Sequence, residues 1–134
     1  LQPHREFPGD ATVVMQTLWP NIIIQQQSNT LAMRHMVPQG PGAFDLMWTF
    51  FGYESDDAEM TQRRLRQANL MGPAGYVSTD DSEIMLMSQE GIEPYPNAEA
   101  VLEMGGRETA DQPHTITEVG LRAFYKHYRE VMGL

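Results

Sequence analysis

Three acids stand close together in the middle of this 134-residue sequence, Asp80, Asp81 and Glu83, and Gly72, Pro73, Ala74 and Gly75 run directly ahead of them. Carboxylates at that density have two uses. In the first turn of a helix they accept from free backbone N–H groups and oppose the macrodipole, for roughly 0.3–1 kcal/mol each. Beside a buried helix they must be paired or bind a cation, because an uncompensated buried charge is too costly. Ser78 with Asp81 three residues on has the spacing of a helix start, which fits the first use. The run Ile84, Met85, Leu86 and Met87 is apolar all round, so the helix is expected to be buried on most sides, which fits the second.

The other polar residues offer less. His4, His35, His114 and His127 are isolated, and no two stand at metal-binding spacing. There is no cysteine, no Gly-x-Ser-x-Gly elbow and no phosphate-binding glycine loop, so a self-contained hydrolase is not expected. Arg34 lies between Ala32 and Met36 on one face of a predicted strand. If that face points inward, the guanidinium needs a carboxylate from protein or substrate; if outward, it is an ordinary exposed arginine. The sequence leaves both open.

Net charge is −9, and the nine Lys and Arg are scattered apart from Arg63, Arg64 and Arg66, which makes nucleic acid and anionic membrane poor partners. No apolar run approaches the ~18 residues of a membrane span and the amino end lacks a signal pattern, so a cytoplasmic protein is expected. The length suits one domain with a real core. The opening residues, with Pro3, Pro8 and Gly9, read as a connection entered in mid-course, and a piece of a longer protein is expected.

Four strands should precede the acids. Residues 12–19 alternate with apolar groups on both faces, and a second strand opens at Ile22 and runs to Gln27, where three consecutive glutamines force one amide inward. After a turn at Ser28, Asn29 and Thr30, a third strand runs from Leu31 until Pro38 stops it. A fourth puts Phe44, Leu46, Trp48 and Phe50 on one face, completing an antiparallel meander. A helix follows to about Met71, started by Asp56 and Glu59, with Leu65 and Ala68 inward and Arg63, Arg64 and Arg66 outward. The acid-bearing helix should end at Gly91. Residues 92–113 read as loop with one turn near 98–104, and Thr115 and Glu118 cap a last helix whose Leu121, Phe124, Tyr125 and Tyr128 oppose Arg122, Lys126 and Arg129.

The glycine motif, the acidic pair Asp80 and Asp81, the preceding meander and the arginine-rich helix resemble the carboxyl-terminal part of the catalytic domain of Rieske non-heme iron ring-hydroxylating oxygenase large subunits. Trp19, Pro20, Asn21, the hairpin through Asn29, the segment 67–75 and the ending 118–132 are similar to the branch acting on aromatic acids of the salicylate, anthranilate and terephthalate type. The resemblance covers nearly the whole chain, residues 1–134, and implies an α+β helix-grip domain, here partial: a meander, a buried iron-ligand helix and a long carboxyl-terminal helix. It implies a mononuclear Fe(II) held by two histidines and one carboxylate, and the matching carboxylate is Asp81. Asp80 points about 100° away on a helix and does not share that role. Substrate positions fall at Ile23, Gln25, Met71 and Val77, with Arg34 as anchor for the carboxylate of an aromatic acid.

Two departures accompany the match. No histidine pair is present, and without cysteine the 2Fe-2S Rieske cluster and its amino-terminal domain are absent from these residues. The activity implied for the full-length subunit is O2-dependent hydroxylation of an aromatic acid, fed by a reductase or ferredoxin, in a trimer with or without a beta subunit. The 134 residues alone are expected to be inactive. The alternative is a non-catalytic helix-grip domain binding a hydrophobic small molecule, and a third reading, a structural domain with capped helices, expects Asp81 in solvent.

Overall fold

A computed structural model of the chain describes residues 4–114 and 117–134. Four strands, β1 (Val13–Leu18), β2 (Ile22–Gln27), β3 (Thr30–Gly40) and β4 (Ala43–Phe51), precede three helices, α1 (Ala58–Met71), α2 (Tyr76–Ile92) and α3 (Val119–Met132). The strands form one antiparallel sheet in the order β1-β2-β3-β4, the meander expected from alternation and short links. The content is that of an α+β, helix-grip-like domain. Two compact units are present, Leu1–Pro96 with the sheet, α1 and α2, and Asn97–Leu134 with α3.

Ser28 and Asn29 make a two-residue turn between the paired residues Gln27 and Thr30, with Ser28 left-handed at φ 52°. Pro38 does not stop β3 as expected. The strand runs on to Gly40 and the ladder is irregular between Pro38 and Gly40, which is how pairing accommodates a residue without an N–H.

Helix α1 corrects two expectations. Its cap is Asp57, whose side chain accepts from the Met60 N–H at 2.8 Å, and Asp56 has another task. Arg64, expected outward, is buried, whereas Leu65 is exposed. The cause is a closed polar network. Arg64 Nε and Nη2 donate to Asp56 at 2.6 and 3.0 Å, Nη1 donates to Glu6 at 3.1 Å and to the Asn29 carbonyl at 2.6 Å, and Nη2 donates to Glu6. All five N–H groups are used, so the guanidinium can be buried. The fully buried Asn29 extends the network to the His4 backbone at 2.7 and 2.8 Å, and its N–H donates to Gln67 Oε1 at 2.8 Å.

This network should be sensitive to acid. The Arg64 hydrogen bond, aided by the Tyr53 N–H, lowers Asp56 against the opposing desolvation. Desolvation acts upward on Glu6, and bonds from Arg64 and Asn29 outweigh it, so Glu6 is lowered too. Folded values below the ordinary 3.8 and 4.5 contribute stability that is complete at neutral pH and lost as pH falls through the lowered values. Replacing Arg64 by Met leaves two carboxylates without their cation and is expected to cost about 3–5 kcal/mol. Faster amide exchange at Asn29 and along α1 is the readout; unchanged exchange would contradict it.

The apolar interior is smaller than the length suggested. Among the described residues only Leu31 and Ala32 are buried hydrophobics, while Gln25, Asn29, Thr30, Arg64, Gln67 and Ser78 are buried polar residues of the first unit. Helix α2, expected to be covered, is exposed along Ile84, Met85, Leu86 and Met87. No helix among the described residues is long and apolar enough to cross a membrane.

In the second unit α3 starts at Val119 after a left-handed Glu118 that makes no side-chain cap bond, and the expected partner in that cap, Thr115, lies outside the described residues. Arg122, expected outward, is buried because Nε donates to the Glu108 carbonyl at 2.7 Å and Nη1 to the carbonyls of Met104 and Thr117. These bonds order the preceding segment without the turn expected near 98–104.

Candidate functional site

The sheet presents one face built by register. Met15 lies opposite Gln25, Gln25 opposite Ala32, Ile23 opposite Arg34, and Arg34 opposite Trp48. With side chains alternating along each strand, Met15, Ile23, Gln25, Ala32, Arg34, Trp48 and Phe50 therefore share a face. The α1–α2 junction lies on the same side, since a Cβ on Gly72 would fall 2.8 Å from the Phe50 ring and 2.6 Å from the Ala68 carbonyl oxygen.

Gly75 is more tightly constrained, because a Cβ there would sit 2.0 Å from the Leu70 carbonyl oxygen. Its φ of −87° suits any residue, so close backbone approach alone requires glycine. The two glycines let α1 end and α2 begin within a few residues, and Ser78 Oγ fastens the junction by donating to the Met71 carbonyl at 2.8 Å. Gly75→Ala is expected to displace the start of α2 and speed amide exchange over residues 76–82. Gly91→Ala, with open space around it, is the control that should leave exchange unchanged.

The acids are not first-turn caps. Helix α2 starts at Tyr76 with Gly75 as its cap, no side chain caps it, and its first turn contains no acid. Asp80, Asp81 and Glu83 follow beyond that turn, so the expectation of capping acids fails because the helix begins two residues earlier than Ser78. Asp81 is exposed, as a structural domain would have it. That exposure is the outcome the structural reading expected, although Asp81 does not cap the helix.

Arg34 is the distinctive residue of the sheet face. Its guanidinium carbon lies 5.2 Å from the centre of the Trp48 ring, and Nη2 donates to the Met15 thioether sulfur at 3.4 Å. Its Nε is buried without a hydrogen-bond partner among the described residues. Burial pulls the guanidinium below its ordinary pKa, and the negative charge of Asp81 opposes that pull. Arg34 is thus half-buried, between the two alternatives, and the charge of Asp81 acts on it. Gln25, 3% exposed, donates from Nε2 to Gln27 at 2.7 Å and has no partner for Oε1 among the described residues, which is the inward amide expected from the glutamine run.

Ile23, Gln25 and Arg34 are therefore brought together on one face. Met71 is half-buried at the end of α1, and Val77 is exposed in the first turn of α2. Sequence reasoning missed Met15 and Trp48 as neighbours of Arg34. The strand periodicity placed Trp48 on a face, and only the register sets it opposite Arg34. Among the described residues no three His, Asp or Glu side chains converge as a metal site.

Over residues 1–134 the sequence matches the family model described as the ring hydroxylating alpha subunit, catalytic domain. It is 53% identical over 125 residues to the large oxygenase component of salicylate 5-hydroxylase from Ralstonia sp, covering 93% of this chain and 30% of that protein. It is 40% identical over 128 residues to the anthranilate 1,2-dioxygenase large subunit of Burkholderia cepacia, covering 96% of this chain and 30% of that one. It is 38% identical over 133 residues to the terephthalate 1,2-dioxygenase terminal oxygenase component subunit alpha 2 of Comamonas sp, covering 99% of this chain and 32% of that one. The chain thus spans about a third of the length of the curated relatives it matches.

Proposed function

The chain belongs to the ring-hydroxylating alpha-subunit catalytic-domain family, and from that premise we propose that its full-length subunit hydroxylates an aromatic acid, with Asp81 as the carboxylate ligand of a mononuclear Fe(II) and Arg34 as the anchor of the substrate carboxylate. The observation that carries this reading is the state of Arg34. A guanidinium half-buried on a sheet face, flanked by Trp48 and Met15 and with a free Nε–H, is suited to an anion attached to a flat apolar ring. The three named relatives act on salicylate, terephthalate and anthranilate, each an aromatic acid.

Each residue has a share in this proposal. Arg34 binds and orients the acid, Trp48 and Ile23 offer the ring apolar surface, and Gln25 Oε1 accepts from a donor substituent on the ring. Met71 and Val77 complete the pocket near the start of α2. Iron, when bound in the complete subunit, supplies O2 activation, and this chain contributes one protein ligand of the three. Two histidines, a Rieske cluster and an electron-donating reductase or ferredoxin come from outside these residues, in a trimer with or without a beta subunit. Family membership leaves the non-catalytic binding domain without support.

A single carboxylate holds Fe(II) poorly against water, so the 134 residues on their own should bind iron weakly and turn nothing over. Equilibrium dialysis of the purified chain against Fe(II) under anaerobic conditions tests this, and tight stoichiometric iron would overturn it.

A further inference from the structure

Met15 stands in β1 opposite Gln25 of β2, yet its side chain reaches past that strand to Arg34 of β3, whose Nη2 donates to the thioether sulfur at 3.4 Å. A neutral thioether is a weak acceptor, so this bond holds the guanidinium loosely and yields to a carboxylate. Arg34 Nε has no partner among the described residues. The sulfur therefore touches the very group assigned to the substrate anion. Met15 is also open to reagents, at 50% exposure on a strand that pairs with β2 alone.

A thioether sulfur carries two lone pairs, and the contact with Arg34 engages one. The other can attack hydrogen peroxide, a two-electron reduction product of O2. An S–O bond forms as the O–O bond breaks, sulfur gives up two electrons, and the released hydroxide takes the proton from the oxygen now on sulfur and leaves as water. The product, methionine sulfoxide, replaces a weak acceptor by a strongly polar oxygen on the same flexible side chain. Met47, Met85 and Met87 are comparably exposed and react in the same way, so the contact with Arg34, not reactivity, singles Met15 out.

We propose that oxidation of Met15 to its sulfoxide closes the Arg34 anion site, the sulfoxide oxygen accepting from the guanidinium donors that the substrate carboxylate would otherwise use. The inference rests on Arg34 as the anchor of that carboxylate. An acceptor carried on β1 competes at a high effective concentration, so a single oxygen atom opposes a free acid. The block is reversible, because sulfoxide reductases return the thioether. Peroxide thereby lowers affinity for the acid at its binding site, without removing iron.

The test uses the full-length subunit with its mononuclear iron removed by chelation, so that peroxide acts without metal-generated radicals. Peptide mass mapping locates the oxygen added at Met15, and equilibrium dialysis reads the Kd for salicylate before and after peroxide. The oxidised parent should bind salicylate about tenfold more weakly, the size of one hydrogen bond to a charged group, and enzymatic reduction of the sulfoxide should restore binding. Met15→Leu is compared with itself, and its affinity should not change on treatment. No sulfoxide at Met15, a sulfoxide without loss of affinity, or an equal loss in Met15→Leu would each overturn the inference. Untreated Arg34→Leu tells two failures apart. If it binds salicylate as well as the untreated parent, the anchor reading is wrong and the inference falls with it; if it binds weakly while the oxidised parent does not, only the inference falls.

Discussion

Replacing Asp81 by Ala in the full-length subunit is expected to strip the mononuclear iron and abolish ring hydroxylation, while Asp80→Ala leaves both in place. The contrast is informative because the two residues are otherwise matched. Both are exposed, both lie beyond the first turn of α2, and neither caps the helix. Their substitutions should therefore disturb helix stability by similar small amounts. They differ in direction by about 100° around the axis, and the charge that reaches Arg34 is that of Asp81. Loss of a direct ligand should exceed the ~10–100-fold penalty typical of residues that merely orient ligands. Asp81→Asn, which keeps the shape and removes the charge, should follow Asp81→Ala. Iron quantification and product formation read the result, and equal behaviour of the Asp80 and Asp81 variants would show that the ligand assignment is wrong.

Arg34→Leu is expected to raise KM for an aromatic acid by about 10–100-fold while iron content stays unchanged. Charge-assisted hydrogen bonds contribute roughly 1.5–3 kcal/mol, which sets that range. Leucine keeps an apolar side chain beside Met15 and Trp48 while removing the charge-assisted donors, so the loss should be confined to substrates bearing a carboxylate. A neutral ring of the same size should bind the variant no worse than the parent. Arg34→Lys is not a conservative control, since it lacks the Nε–H and the flat surface that lies over Trp48. Steady-state kinetics with the acid and its neutral analogue decide the matter, and equal losses for both would assign Arg34 to packing alone.

The sheet was legible because strand alternation has a period of two that survives any tertiary context. It set Phe44, Leu46, Trp48 and Phe50 together on one side of β4, and Ala32, Arg34 and Met36 together on one side of β3. The pairing of those faces was not legible, because register depends on where Ser28 and Asn29 turn the chain. Misreadings concentrated on charged residues. Arg64 and Arg122 looked like solvent-facing arginines by helical position, yet each is buried, since carboxylates or carbonyls distant in sequence meet its donors. Helical periodicity carries no information about such partners. Ile84 to Met87 misled in the opposite sense: the apolar run implies a covering surface, yet these four side chains are exposed.

The candidate site divides along the same line. Asp81 was read through the resemblance carried by the glycine motif. Its electrostatic influence on Arg34 came only from the fold, and so did the unpartnered Arg34 Nε. Gly72 and Gly75 were visible as a turn, but not as points where a single methyl group would meet backbone.

The most direct measurement is anomalous diffraction at the iron edge from crystals of the full-length subunit. A peak about 2 Å from an Asp81 carboxylate oxygen, at coordination distance, is the result expected. A mononuclear iron peak coordinated by other residues, with Asp81 left in solvent, would contradict the assignment of this acid to the metal.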